Sequence, residues 1–276
     1  MWLYLVVLVG LYYLLRWQRE RQVVSHLRDK YVFITGCDSG FGNLLATAGP
    51  AGLEGPGCMS DEQGAQQLRK QTSDTSLGQG WVKERLWGLV NNAGICTPLA
   101  PNEWLTKQDF MVMLDVNLLG MVDGRVVNVS SVMGRVSLFG GGYCLSKYGV
   151  EAFSDSLRRE LSYFGVKVAM IEPGFFMTNM TAAEVFNGNL QAAWQQASPE
   201  VKDLYGDTYD LLKPQWSGNL SLVTNCMEHA LTSCHPRTRY SPGWDAKFFY
   251  LPMSYLPTFL VDLMMYYGAP RPAKVL

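Results

Sequence analysis

The chain has 276 residues, a length that suits one large α/β domain or two small ones. Its residues are 48% hydrophobic and 17% charged, and the formal net charge of −1 gives no reason to expect nucleic acid or an acidic partner. The 6 cysteines and 3 histidines form neither a CxxC motif nor a metal-ligand cluster, which argues against a zinc site and against a disulfide framework.

The first segment, residues 1–22, is predicted to be a membrane anchor. Residues 1–15 are almost wholly apolar and are followed at once by Arg16, Arg19 and Arg21. The run is short beside the ~20 residues that cross a bilayer, and a buried helix is the alternative. A cleaved signal peptide fits badly, because a basic start and a small-residue cleavage site are both lacking. The arginines predict that the following domain faces the cytosol.

A glycine-rich turn follows the first predicted strand, Tyr31 to Thr35. Its sequence is Gly36-Cys37-Asp38-Ser39-Gly40-Phe41-Gly42. Glycines let a backbone turn sharply and approach a pyrophosphate, and the helix predicted from Asn43 to Ala48 would offer its free N–H groups to that phosphate. The spacing is Gly-x-x-x-Gly-x-Gly, which differs from the Gly-x-Gly-x-x-Gly of the common dinucleotide fingerprint.

Three further strands are predicted, each followed by small or polar residues. The strands are Leu86 to Val90, Gly124 to Val129 and Gly165 to Ile171, and they lead into Asn91-Asn92-Ala93-Gly94, Ser130-Ser131 and Glu172-Pro173-Gly174. Strands that alternate with helices predict a parallel sheet whose ligands lie at the carboxyl ends of the strands.

Tyr143 and Lys147 are the strongest candidates for chemistry. They are four residues apart, directly before a helix-like segment from Tyr148 to Leu161, and residues at this spacing share one face when they lie on a helix. An ammonium beside a phenol favours the phenolate, so the phenol can exchange a proton more readily. A solvated helix face is the alternative interpretation of the pair alone.

The C-terminal third contains two apolar patterns. Ala182 to Gln196 has helical periodicity, and Phe248 to Tyr267 is rich in Phe, Tyr, Leu and Met. We predict that residues 246–276 form a hydrophobic, membrane-associated segment, with core packing as the alternative.

Taken together and in this order, the motifs resemble those of the short-chain dehydrogenase/reductases. They are Thr35-Gly36-x-x-x-Gly40-x-Gly42, Asn91-Asn92-Ala93-Gly94, Asn117, Ser131, Tyr143-x-x-x-Lys147 and Pro173-Gly174. Longer stretches, such as GRVVNVSSVMGRVSLFGGGYCLSKYGVEAFSDSLRREL, resemble the branch of microsomal retinol and 3α/17β-hydroxysteroid dehydrogenases.

The resemblance implies an α/β fold, a Rossmann-like doubly wound parallel sheet, with the dehydrogenase domain in residues 29–245. It implies NAD(H) as cofactor, all-trans-retinol or a 3α/17β-hydroxysteroid as substrate, and a location in the endoplasmic reticulum membrane in contact with lipid. Members of the family commonly form homodimers. Asp38 would repel a 2′-phosphate, which favours NAD over NADP.

The resemblance also implies roles for single residues. Tyr143 is the general acid/base, Lys147 supports it and holds the ribose hydroxyls, and Asn117 carries a water relay to Lys147. Ser131 hydrogen-bonds the substrate oxygen, and Ser130 ranks second because the register of a serine pair is open. Substrate contacts are implied for Ser131 and Tyr143. Cofactor contacts are implied for Thr35, Gly36, Ser39, Gly40, Phe41, Gly42, Asn91, Ala93, Gly94, Tyr143, Lys147, Pro173, Gly174 and Thr178.

Between the glycine turn and Asn91 the chain departs from the family pattern. Residues 47–57 are rich in Gly and Pro, which exclude a central strand, and residues 75–80 are only a polar connector. We therefore predict that the adenosine half of the sheet is incomplete and lacks two strands. A reading-frame slip within residues 46–64 explains the first defect, because a shifted frame restores a turn and an apolar strand.

A second shortfall follows Asn117, where only Met121-Val122-Asp123 separate Gly120 from the next strand. The segment around residues 211–218 also looks shortened. These departures favour an alternative function, a catalytically dead remnant that acts, if at all, as a membrane interaction protein. The intact Ser131, Tyr143 and Lys147 favour the enzyme.

Overall fold

A computed structural model describes residues 2–27, 30–37, 39–47, 54–59, 86–94, 125–138, 141–178, 181–205 and 217–266. Several expectations lie outside these ranges: the roles of Asp38 and Asn117, the short connection at residues 121–123, and most of the shortened segment at 211–218. The statements below concern the described residues.

The fold class is confirmed, because six parallel strands form one sheet in the order β2-β1-β3-β4-β5-β6. The strands are β1 (Tyr31–Thr35), β2 (Glu54–Met59), β3 (Leu86–Asn91), β4 (Arg125–Val129), β5 (Lys167–Ile171) and β6 (Arg239–Tyr240). The central strands are mainly apolar, and both Val126 and Val127 of β4 are fully buried, beside the buried polar residues Arg125 and Asn128. A strand buried on both faces requires a largely apolar run, which is why the sequence identified it.

The described part of the chain also forms helices. They are α1 (Trp2–Glu20), α2 (Gly40–Thr47), α3 (Gly141–Leu161), α4 (Ala183–Gln196), α5 (Pro199–Tyr205), α6 (Ser221–Thr232), α7 (Leu251–Met253) and α8 (Thr258–Tyr266). The π-helical turn Ala246–Tyr250 leads into α7. Helices α2 and α6 pack together, α6 packs on β4 and β5, and α3 packs against β4 and β5. Helix α6 and strand β6 were not predicted from the sequence.

Strand β2 corrects the prediction that both strands of the adenosine half are missing. Glu54–Met59 pairs in parallel with β1, with Gly57 opposite Phe33 and Cys58 opposite Ile34. The register shifts between Tyr31 and Phe33, opposite Gly55 and Pro56. Proline is tolerated here because β2 lies at the edge of the sheet, where one side of the strand needs no partner. The exclusion of a central strand agrees with this edge position, but the prediction that two strands are missing was wrong for the one that β2 provides.

Helix α3 begins earlier than predicted, at Gly141 rather than at Tyr148. The glycines at its start have poor helix propensity, so the sequence placed the boundary too late. As a result Tyr143 lies in the first turn of the helix and Lys147 in the second. Helix α4 agrees closely with its prediction, and it buries Leu190 and Ala193 against Ala197.

Helix α1 carries exposed apolar side chains along its whole length, from Trp2 to Trp17. No helix within the described ranges is both long enough and apolar enough to cross a bilayer. The segment just after α1 is hydrogen-bonded to helix α6 of the domain, where the Val24 N–H donates to the Thr232 carbonyl at 2.8 Å. Glu20 also forms an ion pair with Arg237.

Candidate active site

The predicted site residues gather at the carboxyl ends of β1, β3, β4 and β5. Parallel strands bring these ends to one edge of the sheet, where loops can hold a ligand between them. The glycine turn follows β1, the Asn-Asn-Ala-Gly stretch follows β3, the two serines follow β4 and Pro173-Gly174 follow β5.

The glycine turn has a backbone that needs glycine at two positions. Gly36 has φ +67°, a conformation that other residues rarely adopt, and a Cβ there would lie 2.8 Å from the Ala93 Cα. Gly42 lies so close to the Gly36 carbonyl that a Cβ would overlap it, and the same Cβ would come within 2.5 Å of the Asn92 amide nitrogen. The backbone of the glycine turn is therefore packed directly against the backbone of the loop after β3.

Thr35 and Asn92 hold these two loops together. The Thr35 hydroxyl accepts hydrogen bonds from the backbone N–H groups of Asn92 at 3.1 Å and Ala93 at 3.0 Å. The Asn92 side-chain amide donates in return to the carbonyl of Gly36 at 2.8 Å and to that of Thr35 at 3.1 Å. Asn92 was quoted in the motif, but its role as a clamp was not foreseen.

Replacing Thr35 by valine should lower the free energy of unfolding by about 1–2 kcal/mol, because two backbone N–H groups lose their acceptor while the side-chain shape is retained. Thr35→Ser keeps the hydroxyl and should retain most of the stability. Denaturant titration of both variants measures the difference. Equal loss in the two variants would show that the methyl group, and not the hydroxyl, is responsible.

A second chain of hydrogen bonds links the sheet to α3. The Asn91 amide donates to the Asn128 oxygen at 2.9 Å, and the Asn128 amide donates to the Ser154 hydroxyl at 2.8 Å. The Asn91 oxygen Oδ1 is buried, and it has no hydrogen-bond partner among the residues that the structure describes. A buried polar atom without a partner at a strand end is a site that a ligand donor can satisfy.

Tyr143 and Lys147 are brought together as predicted. The Lys147 ammonium lies 5.6 Å from the centroid of the Tyr143 ring and donates to the Val129 carbonyl at 3.0 Å. Lys147 is only 5% exposed, whereas Tyr143 is half-buried. The contact with the last residue of β4 fixes the ammonium at the edge of the sheet, beneath the phenol.

The two serines have different environments. The Ser131 hydroxyl accepts from the Met133 N–H at 3.2 Å and caps the short turn Val132–Gly134. The more deeply buried Ser130 hydroxyl is directed at the Lys147 carbonyl at 3.5 Å. A hydroxyl that accepts from the backbone still has its own hydrogen to donate. The arrangement therefore favours Ser131 as the hydroxyl for a ligand and gives Ser130 a structural role.

The loop after β5 is held by a residue that sequence reasoning missed. The Asp245 carboxylate accepts from the Phe175 N–H at 2.7 Å and fills the space where Gly174 would carry a Cβ. The Pro173 carbonyl accepts from the Val132 N–H at 3.0 Å, which joins this loop to the serine turn. No motif recognised in the sequence included Asp245.

The glycine turn also meets the end of the β5 loop. A Cβ at Gly40 would lie 3.7 Å from Thr178, and the Phe41 ring packs edge-to-face on Phe176 at 5.7 Å between centroids. Thr178 and the glycine turn therefore border the same space. Among the predicted site residues, only Asn117 lies outside the described part of the chain.

The described residues fit a dinucleotide. Helix α2 begins at Gly40, so the first N–H groups of the helix point into the space between the loops, as a phosphate requires. The buried Asn91 oxygen lies at the end of the neighbouring strand and lacks a donor there. No group of three or more metal-ligating side chains was found among the described residues.

Comparisons with known proteins agree with this geometry. Residues 57–187 match a family model described as short chain dehydrogenase. The chain is 61% identical to human retinol dehydrogenase 16, with both chains fully covered, and 58% identical to rat retinol dehydrogenase 7 over the same extent. It is 53% identical to human 17-beta-hydroxysteroid dehydrogenase type 6, with 99% of each chain covered.

The alignment with the human retinol dehydrogenase spans 317 positions, 41 more than the 276 residues of this chain. The chain is therefore shortened internally relative to that protein, as the sequence analysis expected.

Solved structures show the same fold at lower identity. A short chain dehydrogenase from Burkholderia cenocepacia in complex with NADP has a TM-score of 0.63 at 15% identity, covering 87% of this chain and 98% of its own. A short chain dehydrogenase/reductase from Burkholderia phymatum in complex with NAD has a TM-score of 0.60 at 19% identity, covering 92% and 99%.

Proposed function

Since this chain belongs to the short-chain dehydrogenase family and is an oxidoreductase, we propose that it is membrane-bound and uses NAD to oxidise a lipophilic alcohol. The substrate is all-trans-retinol, oxidised to retinal, or a 3α- or 17β-hydroxysteroid, oxidised to the ketosteroid. The observation that carries the proposal is the buried Lys147 ammonium beneath the Tyr143 ring at the end of β4.

The chain's own residues position the alcohol and move its proton. Ser131 donates a hydrogen bond to the alcohol oxygen, and the Tyr143 oxygen takes the proton as the carbonyl forms. Lys147 supports the negative charge on the phenol, because a nearby ammonium stabilises a phenolate. Bound NAD supplies the hydride acceptor.

The cofactor contacts that we propose divide between three loops. The N–H groups at the start of α2, with Ser39, Gly40 and Phe41, would bind the pyrophosphate. Asn91, Ala93 and Gly94 would line the middle of the cleft, and the β5 loop with Pro173, Gly174 and Thr178 would cover the nicotinamide end. The acidic Asp38 in the glycine turn supports NAD over NADP, because a carboxylate repels a 2′-phosphate.

Exposed apolar surface supports a lipid partner and a lipophilic substrate. Trp2 is 78% exposed on α1, and Phe248 and Phe259 near the C terminus are 78% and 69% exposed. Such side chains are stable in contact with a bilayer. We propose that residues 1–22 and 246–276 bind the endoplasmic reticulum membrane and that the dehydrogenase domain, residues 29–245, lies on its cytosolic side. We also expect pairing into homodimers, as is common in the family.

One observation favours the alternative that the chain is a catalytically dead remnant acting as a membrane interaction protein. At least 41 positions of the human retinol dehydrogenase have no counterpart here. A typical domain is stable by only ~5–15 kcal/mol, and the loss of covering elements can remove that margin.

Turnover of the full chain discriminates between the two functions. Microsomes that express the chain should oxidise retinol or a hydroxysteroid with NAD, and should do so more slowly with NADP. Cofactor binding is the second measurement. Binding of NADH can be measured by its fluorescence, and binding of NAD by calorimetry. Absence of both turnover and NAD binding would overturn the enzyme proposal and support the remnant.

The sequon Asn219-Leu220-Ser221 tests the orientation, because Asn219 is exposed in the turn before α6. With the domain on the cytosolic side, glycosidase treatment should leave the electrophoretic mobility of the chain unchanged. A sequon added ahead of Met1 provides the control and should be glycosylated if the N terminus is luminal. A glycosidase-sensitive Asn219 would place the domain in the lumen instead.

A further inference from the structure

A cluster of buried and half-buried charges links helix α3, which carries Tyr143 and Lys147, to the ends of β5 and β6. Its centre is the Arg239 guanidinium on β6, which lies 3.0 Å from the Glu172 carboxylate, 3.1 Å from that of Glu151 and 3.0 Å from that of Asp155. Glu151 and Asp155 belong to α3, and Glu172 directly follows β5. A single guanidinium thus ties the helix that carries Tyr143 to the ends of two strands.

Glu172 extends the cluster to the serine turn. Its carboxylate is completely buried and lies 3.3 Å from the Arg135 guanidinium, and it accepts from the Ser241 hydroxyl at 2.9 Å. Arg135 immediately follows the turn that Ser131 caps. The cluster therefore contacts both elements whose side chains would bind the alcohol oxygen.

Glu151 lies where these two elements meet. It is one helical turn after Lys147 and two turns after Tyr143, on the same face of α3, and is only 6% exposed. A Cβ at Gly134 would lie 2.9 Å from the Glu151 Cγ, from the Lys147 carbonyl and from the Ser130 hydroxyl. The serine turn and the helix are in direct contact here, so a shift of the Glu151 side chain displaces one against the other.

We propose that Glu151 is a positioning residue, which through Arg239 and Glu172 fixes helix α3 against the serine turn and so sets the separation of Tyr143 and Ser131. The kinetic consequence rests on the proposed function, whereas the structural consequence does not. Glu151 acts through the helix and through Arg239, and no contact with substrate or cofactor is assigned to it.

The charge state of Glu151 gives this role a pH signature. Burial, followed by the nearby Glu172 carboxylate, raises the pKa of Glu151 to about 7, against the opposing effects of the Ser130 hydroxyl and Arg239. Asp155, from the same helix, shares the Arg239 guanidinium. The folded chain holds the proton more tightly than the unfolded chain, so this contribution to the packing is fully present below the ordinary carboxyl pKa of 4.5 and is lost as pH rises through about 7.

Hydrogen exchange of the full chain in detergent tests the proposal without requiring turnover. In Glu151→Ala, the amide protection factors of residues 130–135 should be about 10-fold lower than in the wild type. The protection factors of β1 should change little. In the wild type, protection of residues 130–135, corrected for intrinsic exchange, should fall between pH 6 and pH 8. Glu151→Gln should remove that fall, because glutamine keeps the shape and does not titrate.

Glu160→Ala on the exposed face of the same helix is the matched control. It should change neither the amide protection of residues 130–135 nor the fall of that protection between pH 6 and pH 8. A uniform loss of protection that includes β1 would show general destabilisation and overturn the proposal. A fall between pH 6 and pH 8 that survives in Glu151→Gln would overturn it as well.

Kinetics provide the second arm. Glu151→Ala should lower kcat about 10-fold with little change in KM for NAD, and Glu151→Gln should recover most of the rate and lose an inflection of kcat near pH 7. An unchanged kcat in Glu151→Ala would contradict the positioning role. If the wild type neither turns over nor binds NAD, the proposed function fails, while the exchange experiment still decides this inference.

Discussion

Tyr143→Phe is expected to lower kcat for alcohol oxidation by about 10³-fold, within the 10²–10⁴ range that general acid–base groups contribute. Only the hydroxyl is removed, so the ring remains above the Lys147 ammonium and the helix stays intact. KM for NAD should change little, since the loops after β1 and β3 that would hold most of the cofactor do not depend on this hydroxyl. Steady-state kinetics with retinol and with a 3α-hydroxysteroid measure the effect.

Tyr148→Phe is the matched control. It removes a phenol hydroxyl from the same helix at an exposed position, so its kcat should equal that of the wild type. Retention of the rate in Tyr143→Phe would refute the role proposed for that phenol. An equal loss in both variants would indicate damage to the helix instead.

Gly42→Ala is expected to abolish NAD binding and to lower the free energy of unfolding by about 3 kcal/mol, at the upper end of the usual cost of overpacking. The added methyl group would overlap the Gly36 carbonyl and the Asn92 amide, which are hydrogen-bonded to each other, and the Asn92 amide also donates to the Thr35 carbonyl. Because the clash is with backbone, the glycine turn and the loop after β3 must separate. Calorimetric titration with NAD and thermal unfolding measure the two effects.

Gly188→Ala provides the comparison. This glycine lies within helix α4, and, apart from the helix's own backbone, no atom of the described residues lies within 4 Å of an added Cβ. Alanine should therefore stabilise the chain by about 1 kcal/mol through its better helix propensity. If Gly42→Ala leaves NAD binding and stability unchanged, the close packing of the glycine turn against Asn92 is not maintained in solution.

Short sequence patterns predicted the strands and helices whose residues show a continuous apolar run or a helical period. The buried runs of β1, β3, β4 and β5 and the periodic helix α4 were recognised because apolar continuity and helical period are properties of short windows. A central strand was excluded for residues 47–57 because they are rich in Gly and Pro, and the strand β2 that overlaps them forms at an edge, where pairing with β1 alone suffices. Whether a strand lies at an edge or in the centre is not encoded in its own residues.

The sequence by itself identified the Tyr143–Lys147 pair, the glycine turn and the order of the motifs, because each is a short pattern whose chemistry follows from residue type and spacing. Only the tertiary structure showed that Asn92 clamps the glycine turn, that Asp245 holds the β5 loop, and that Arg239 joins Glu151 to Glu172. These contacts connect residues 56 to 88 positions apart, and such distant partners are chosen by the packing of strands and helices rather than by any local pattern.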